Sequence, residues 1–360
     1  MLFFEENILA WSWIGSWRDR FEDLKRHFLI VTKRPTPTRW FNFLVNELCA
    51  KFRTLTVPGY PYVLVTDPTN CCNLRCPLCP TGLGMQGRLK GNMPWNLYLK
   101  ILREMTPWAM RIWFFNWGEP LLNPRIFDMI AEANRRGLAT NLSTNVQLLD
   151  REKTRQLLDS QLDYLIISMD GFDAESYSKY RIGASFDRAM ENIRYLLEEK
   201  KRRRQTSLRV EWQSLVTSFN QDKLDRISNL ASQTGVDRVR FMPLELADSP
   251  WTGRSPGSEV AWLPDSGTPY RYDFSPSKPL SDHPCFWLYE TITINPDGGV
   301  APCCRTFEAK DDFGNVNQST IRSIFNNTYY QRARALFKKG TPLPGKPIVC
   351  DRCQEYTHAQ

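Results

Sequence analysis

From Pro61 to Leu244 the chain alternates six times between short apolar runs of strand character and longer stretches of helical periodicity. No other feature constrains its folding as much. "YVLVTD" (62–67), "RIWFF" (111–115), "ATNLS" (139–143), "YLIISM" (164–169), "LRVEWQSLV" (208–216) and "RVRFM" (238–242) read as the strands. Helical stretches lie between them, such as "PRIFDMIAEANRRG" (124–137), where Pro124 suits a first helical turn and Gly137 a C-terminal stop. Repeated strand–helix–strand units imply a parallel sheet with right-handed crossovers. An open doubly wound sheet and a partial barrel both satisfy the pattern, and both put function at the C-terminal ends of the strands.

The segment that follows the first strand is "TNCCNLRCPLCPTG" (69–82), which holds four of the ten cysteines in the chain. No apolar run reaches the roughly 18 residues of a spanning helix, and Glu5 and Glu6 stand where a secretory signal carries positive charge. The expectation is therefore a cytoplasmic chain with reduced thiols, available for metal or redox chemistry. Cys72, Cys76 and Cys79 have C-x3-C-x2-C spacing, with Cys71 a bystander beside them. Three thiolates on one loop suit three corners of a [4Fe–4S] cube, with one iron left open for an outside ligand. A structural zinc site needs a fourth ligand, and none stands nearby; the histidines are His27, His283 and His358. Unligated thiols are the third reading.

"CNLRCPLC" after a strand resembles the cluster loop of the radical S-adenosylmethionine superfamily. "NWGEP" (116–120), after the second strand, resembles that family's Gly-Glu-Pro motif. "STN" (143–145) and "SMDG" (168–171) end the third and fourth strands. The resemblance covers about residues 61–245. It implies a partial (β/α)6 barrel and a [4Fe–4S] cluster on Cys72, Cys76 and Cys79 whose open iron chelates S-adenosylmethionine. It also implies cofactor contacts at Gly118, Glu119, Pro120, Ser143, Asn145 and Ser168. Leu78 stands where the family usually has an aromatic, and Trp117 where it has a glycine.

Cys285, Cys303, Cys304, Cys350 and Cys353 lie in the tail. Brought together by a loop, a hairpin turning at "NPDGG" and a helix from about Thr320 to Lys339, four of them could hold a zinc ion or a fully ligated cluster; spacing leaves both open. "INPDGGVAPCC" and "FGNVNQSTIRSIFNN" resemble the auxiliary-cluster extension called SPASM, or twitch in its short form. That resemblance implies an auxiliary [4Fe–4S] cluster on Cys285, Cys303, Cys350 and Cys353, in the short, single-cluster form. Cys304 is then spare, either packed in the hairpin or a hydrogen-atom donor to a substrate radical. Cys49 reads as a buried apolar filler.

The division expected is a helical extension (1–60), the barrel (61–245), a Pro/Ser/Gly-rich linker (246–284) and a small α+β iron–sulfur domain (285–360). In the extension, Ile14, Trp17, Phe21, Leu24 and Phe28 form one stripe, and Trp40, Phe41, Leu44, Leu48 and Phe52 a second. Both read as docking on the barrel, with peripheral membrane contact through residues 8–30 as the alternative. The net charge is +8, and the densest basic run, "EEKKRRRQ" (198–205), reads as a solvated helix end rather than a nucleic-acid surface.

The family resemblance implies reductive cleavage of S-adenosylmethionine to a 5′-deoxyadenosyl radical that takes hydrogen from a substrate C–H bond. A low-potential donor such as flavodoxin or ferredoxin supplies the electron. The expected outcome is dehydrogenation or epimerisation of a small molecule, a sugar or cyclitol, with the auxiliary cluster as electron acceptor. A maturase acting on a peptide, protein or lipid is the alternative, and a non-catalytic iron–sulfur or zinc module is the reading from another class.

Overall fold

A computed structural model describes residue 34 and residues 36–244, 258–271, 284–338 and 343–353. All six expected strands form: β1 (Val63–Thr66), β2 (Arg111–Phe114), β3 (Ala139–Thr144), β4 (Tyr164–Ser168), β5 (Arg209–Val216) and β6 (Arg238–Pro243). Each pairs in parallel with the next, so the sheet grows in sequence order from β1 to β6. Helices α2 (Trp95–Met105), α3 (Ile126–Arg135), α4 (Arg151–Asp159), α5 (Ala174–Tyr180), α6 (Phe186–Arg202) and α7 (Leu224–Thr234) occupy the crossovers. Their apolar sides and the strands form the main core, which includes Leu64, Ile112, Leu142, Leu165 and Trp212. The fold is α/β with a partly open parallel sheet, as a partial barrel requires.

Pro124 falls before α3 rather than in its first turn, and Gly137 follows the helix with φ of 78°, as a stop should. The basic run closes α6, where Glu199 accepts from Arg202 and Arg203 at 2.6–2.9 Å. The cations are absorbed locally, as a solvated helix end requires.

The tail continues the same sheet. Helix α8 (Trp287–Glu290) leads into β7 (Thr291–Ile294), which pairs in parallel with β1 on the side away from β2. β8 (Gly299–Ala301) returns antiparallel through the expected turn, with Gly298 at φ 85°, and β9 (Gly314–Asn315) ends a nine-stranded sheet. The long tail helix is instead two, α9 (Ile321–Phe325) and α10 (Thr328–Leu336). Asn327 interrupts them because its side chain caps the N–H groups of Tyr329 and Tyr330.

The second N-terminal stripe falls on helix α1 (Pro37–Lys51), but the helix docks by its other face. Arg39, Asn42, Phe43 and Asn46 are buried, whereas Phe41, Leu44, Leu48 and Phe52 are exposed. α1 lies across the N-terminal ends of β1–β3, where chain ends present unpaired carbonyls. Arg39 donates to Thr106 O, Arg136 O and Gly137 O at 2.7–3.2 Å, capping the C-termini of α2 and α3. Asn42 and Asn46 donate to Tyr60 O at 2.8 Å. The docked face combines these donors with Phe43, Cys49 and Ala50, which are buried in the core. The first stripe and residues 8–30 lie outside the described residues.

Candidate active site

The cluster loop leaves β1 and wraps the open ends of β1–β4. Arg75 N donates to Ile182 O at 3.0 Å, and Cys79 N to Cys76 O at 3.2 Å. Gly82 packs against this turn: a Cβ there would sit 2.5 Å from Cys76 O. Cys72, Cys76 and Cys79 are thereby close enough to affect one another's ionisation. Burial pushes the Cys72 thiol up to about 12 and Cys76 up to about 11, with the neighbouring thiols adding to the rise. Three thiols held on one turn and near enough to feel one another's charge are placed to share one cluster, whose binding would displace their protons.

The Gly-Glu-Pro loop is set against this turn from β2. Gly118 has no room for a side chain, because a Cβ would come within 1.6 Å of Thr69 O. Its N–H and that of Trp117 point at the buried Asp67 carboxylate at 3.4 and 3.3 Å. Burial raises Asp67 to about 7, and those N–H donors hold the rise in check. Glu119 is buried and carries structural weight for the next strand end. Its carboxylate accepts from Thr144 Oγ1 at 2.6 Å, Asn145 N at 2.8 Å and Leu121 N at 3.2 Å. Asn145 in turn donates to Asn73 Oδ1 at 2.9 Å and reaches Cys72 Sγ at 3.9 Å. Ser143 and Ser168 face each other across β3 and β4, with 3.5 Å between hydroxyls.

These elements enclose a cavity of about 370 Å³, at the small end of ligand-sized sites. The three cysteines, Leu78, Gly118, Glu119, Ser143, Asn145 and Ser168 line it. Pro120 is buried in the turn behind Glu119. Sequence reasoning missed Arg181, which is held by Asp170 at 2.5 Å and hydrogen-bonds Cys76. It also missed Gln213 and Met242 from β5 and β6, and Arg305 and Phe307 from the tail. None carries a motif; the tail residues in particular reach the cavity only because β7 joins β1.

In the tail, Cys285 precedes α8, Cys303 follows β8, and Cys350 lies within a short 3-10 turn, Val349–Arg352, that Cys353 ends. That turn is tied to α10 by Arg332 and Asp351 at 3.1 Å. Burial raises the Cys350 thiol far above its ordinary range, and Cys353, Cys303 and Cys285 all add to the rise, so the four approach one another. Among the described residues, no three thiols, carboxylates or imidazoles converge as tightly as a single metal ion requires. Cys304 does not line the cavity. Like Cys303, it packs partly buried against the apolar cluster that contains Val65 and Trp287, while Arg305 next to it lines the cavity.

Two loops join the sites. Arg88, just beyond the cluster loop, pairs with Asp312 at 2.5 Å and Asp297 at 3.1 Å, and its side chain is 2% exposed. Trp117, in the glycine position of the motif, packs edge-on against Phe307 at 5.7 Å and donates from Nε1 to Thr306 O at 3.4 Å.

A thiolate triad on a strand-end loop, a glycine-tight Gly-Glu-Pro turn and a second four-thiol site define a radical S-adenosylmethionine protein with an auxiliary iron–sulfur domain. The chain carries that superfamily's domain: residues 66–210 match its family model, and residues 285–354 match the iron–sulfur cluster-binding domain SPASM. Its cofactors are a [4Fe–4S] cluster with S-adenosylmethionine and an auxiliary iron–sulfur cluster. Among curated relatives, a tungsten-containing aldehyde ferredoxin oxidoreductase cofactor-modifying protein of Pyrococcus furiosus is 26% identical over 305 residues, 76% of this chain and 83% of that one. The PqqA peptide cyclase of Bradyrhizobium diazoefficiens is 24% identical over 328 residues, 82% of this chain and 79% of the relative. The fold matches Streptococcus suis SuiB bound to the precursor peptide SuiA, with TM-score 0.60 and 15% identity over 96% of this chain and 76% of that one. It also matches anSMEcpe with bound AdoMet and Cp18Cys peptide, with TM-score 0.55 and 16% identity over 78% of this chain and 84% of that one.

Proposed function

We propose that the protein is a radical S-adenosylmethionine dehydrogenase acting on a small hydroxylated molecule, a sugar or cyclitol, with the tail cluster as electron acceptor. One observation carries this reading: the loop that bears Cys303 also delivers Arg305 and Phe307 into the cavity of Cys72, Cys76 and Cys79. Cys72, Cys76 and Cys79 would hold the first cluster, and Cys285, Cys303, Cys350 and Cys353 the second. When bound, these groups supply hydrogen abstraction and a one-electron sink, so that the substrate loses a hydrogen atom, an electron and a proton overall.

The chain's own residues bind and orient. Gly118, Glu119 and Asn145 shape the S-adenosylmethionine side, with Ser143 and Ser168 supplying hydroxyls. Arg305 and Gln213 offer donors to substrate oxygens, while Trp117, Phe307 and Phe115 keep water from the reacting carbon. Cys304 packs away from the cavity and is the epimerase alternative's hydrogen donor only if the loop turns over. A ferredoxin or flavodoxin fits as the electron source.

The test is anaerobic incubation of the reconstituted protein with S-adenosylmethionine and a reductant, in the presence of deuterated polyol or sugar pools. Substrate-dependent 5′-deoxyadenosine carrying deuterium, with a product two hydrogens lighter, supports the reading. Its loss in Arg305→Met, with basal cleavage kept, supports the substrate contact. Deuterium transfer only from precursor peptides would replace it with the second reading, a peptide maturase, which the PqqA peptide cyclase likeness favours.

A further inference from the structure

The cavity holds one polar group that no other described residue satisfies. The side-chain amide nitrogen of Asn116 is closed to solvent and has no acceptor among the described residues. Several buried polar atoms share that condition, but of their residues Asn116 is the one that lines the cavity of Cys72, Cys76 and Cys79. A buried donor without an acceptor is costly, and native structures hold few of them. An amide nitrogen donates two N–H groups and accepts nothing, so whatever completes it must present an acceptor, in practice an oxygen.

The polar side chains on the S-adenosylmethionine side of the cavity satisfy one another. Glu119 accepts from Thr144, Asn145 and Leu121, and the Asn145 amide donates to Asn73 at 2.9 Å. The Ser143 and Ser168 hydroxyls lie 3.5 Å apart. Asn116 stands outside that set, in the loop that is held against the tail. Its neighbour Trp117 packs on Phe307 and donates to Thr306 O, and Arg305 and Phe307 line the same cavity. The backbone beneath the amide is fixed, because the N–H groups of Asn116, Trp117 and Gly118 all point at the buried Asp67 carboxylate. The donor is thus held in place before any ligand arrives, as selective hydrogen bonding requires.

We propose that Asn116 is a substrate contact and specificity residue, its amide donating to an oxygen of the substrate in the part of the cavity that Arg305 and Phe307 also line. The assignment rests on the function proposed above and adds to it the group that selects substrates by an acceptor oxygen. A hydroxyl oxygen of a sugar or cyclitol meets that requirement. An analogue with hydrogen in place of the hydroxyl leaves the amide buried and unmet, so the site rejects it.

The experiment compares wild type with Asn116→Leu, of similar size, and Asn116→Ala, each reconstituted anaerobically. Deuterium transfer from the polyol or sugar pool to 5′-deoxyadenosine falls about ten- to a hundredfold in both variants. Binding of S-adenosylmethionine, read by equilibrium dialysis on the same samples, is unchanged. Thermal midpoints equal or exceed that of wild type, since an unmet donor has been removed. Unchanged transfer overturns the proposal. Weakened S-adenosylmethionine binding overturns it too, by assigning the amide to the cofactor. A lowered midpoint in both variants, which is read without any substrate, overturns it by giving the amide a partner within the chain. Transfer from precursor peptides alone overturns the function proposed above and leaves this contact to be read on the peptide. There the same loss in both variants upholds it, with a peptide carbonyl as the acceptor, and equal transfer overturns it.

Discussion

Replacing Gly118 by alanine tests the architecture of the site most directly. The added Cβ would stand 1.6 Å from Thr69 O and 2.6 Å from its carbon, whereas ordinary contact begins near 3.4 Å. Both obstacles are backbone, so no rotamer relieves them, and the loop must retreat by about 2 Å. That retreat breaks the 2.8 Å bond from Glu119 N to Cys71 O and pulls the Trp117 and Gly118 N–H groups from Asp67. It also drags Glu119 away from Thr144 and Asn145, which line the cofactor side of the cavity. A misplacement of about 1 Å in a reacting assembly costs on the order of a hundredfold in rate. Gly118→Ala should therefore lower S-adenosylmethionine cleavage at least about a hundredfold. Iron content should fall far less than cleavage, because Cys72, Cys76 and Cys79 are carried by the loop after β1 and not by the one that must retreat. The assay pairs 5′-deoxyadenosine formation with iron and sulfide counts on the same sample. Cleavage within a few-fold of wild type would refute the close approach.

Three further outcomes follow from other parts of the molecule. Alanine at Cys72, Cys76 and Cys79 together should leave about four irons per chain, those of the tail, whereas Cys350→Ala should lose the tail irons and keep the first cluster; elemental analysis and electron paramagnetic resonance distinguish them. Burial raises Asp67 from 3.8 to about 7, so the folded chain holds more protons than the unfolded one between those values. Its contribution makes stability fall as pH rises from about 4 to about 7 and level off above; denaturant midpoints across that range should show a shallower decline in Asp67→Asn. Arg334 is fully buried among Tyr289, Phe325 and Tyr330, and donates to Leu288 O and Leu55 O at 2.9 Å. Arg334→Met leaves those carbonyls without that donor and should destabilise the chain by about 2–5 kcal/mol in chemical denaturation.

Short segments at strand ends announced where a site would form. The spacing of Cys72, Cys76 and Cys79 and the family resemblance at Gly118, Glu119 and Asn145 pointed to residues that the structure brings around one cavity. The tail cysteines were legible as a set. Arg181, Gln213, Arg305 and Phe307 were not, since each is an isolated residue of common type. Helix α1 shows the opposite failure. It forms where its periodicity placed it, but it docks by the face of Arg39, Asn42, Phe43 and Asn46, whose carbonyl and core partners lie in distant segments.

Period-two and helical patterns, glycine and proline stops, and cysteine spacing act over a few residues, so the sequence alone determined six strand–helix units and two thiol sets. Only the tertiary structure decided that β7 pairs with β1. That pairing depends on contacts between segments more than two hundred residues apart, Val63 with Thr291 among them. Through it the tail's Arg305 and Phe307 reach the cavity, and Trp117 joins the two cofactor loops. Which face of α1 docks was decided in the same way, by backbone acceptors and apolar neighbours that distant segments bring to the N-terminal ends of the strands.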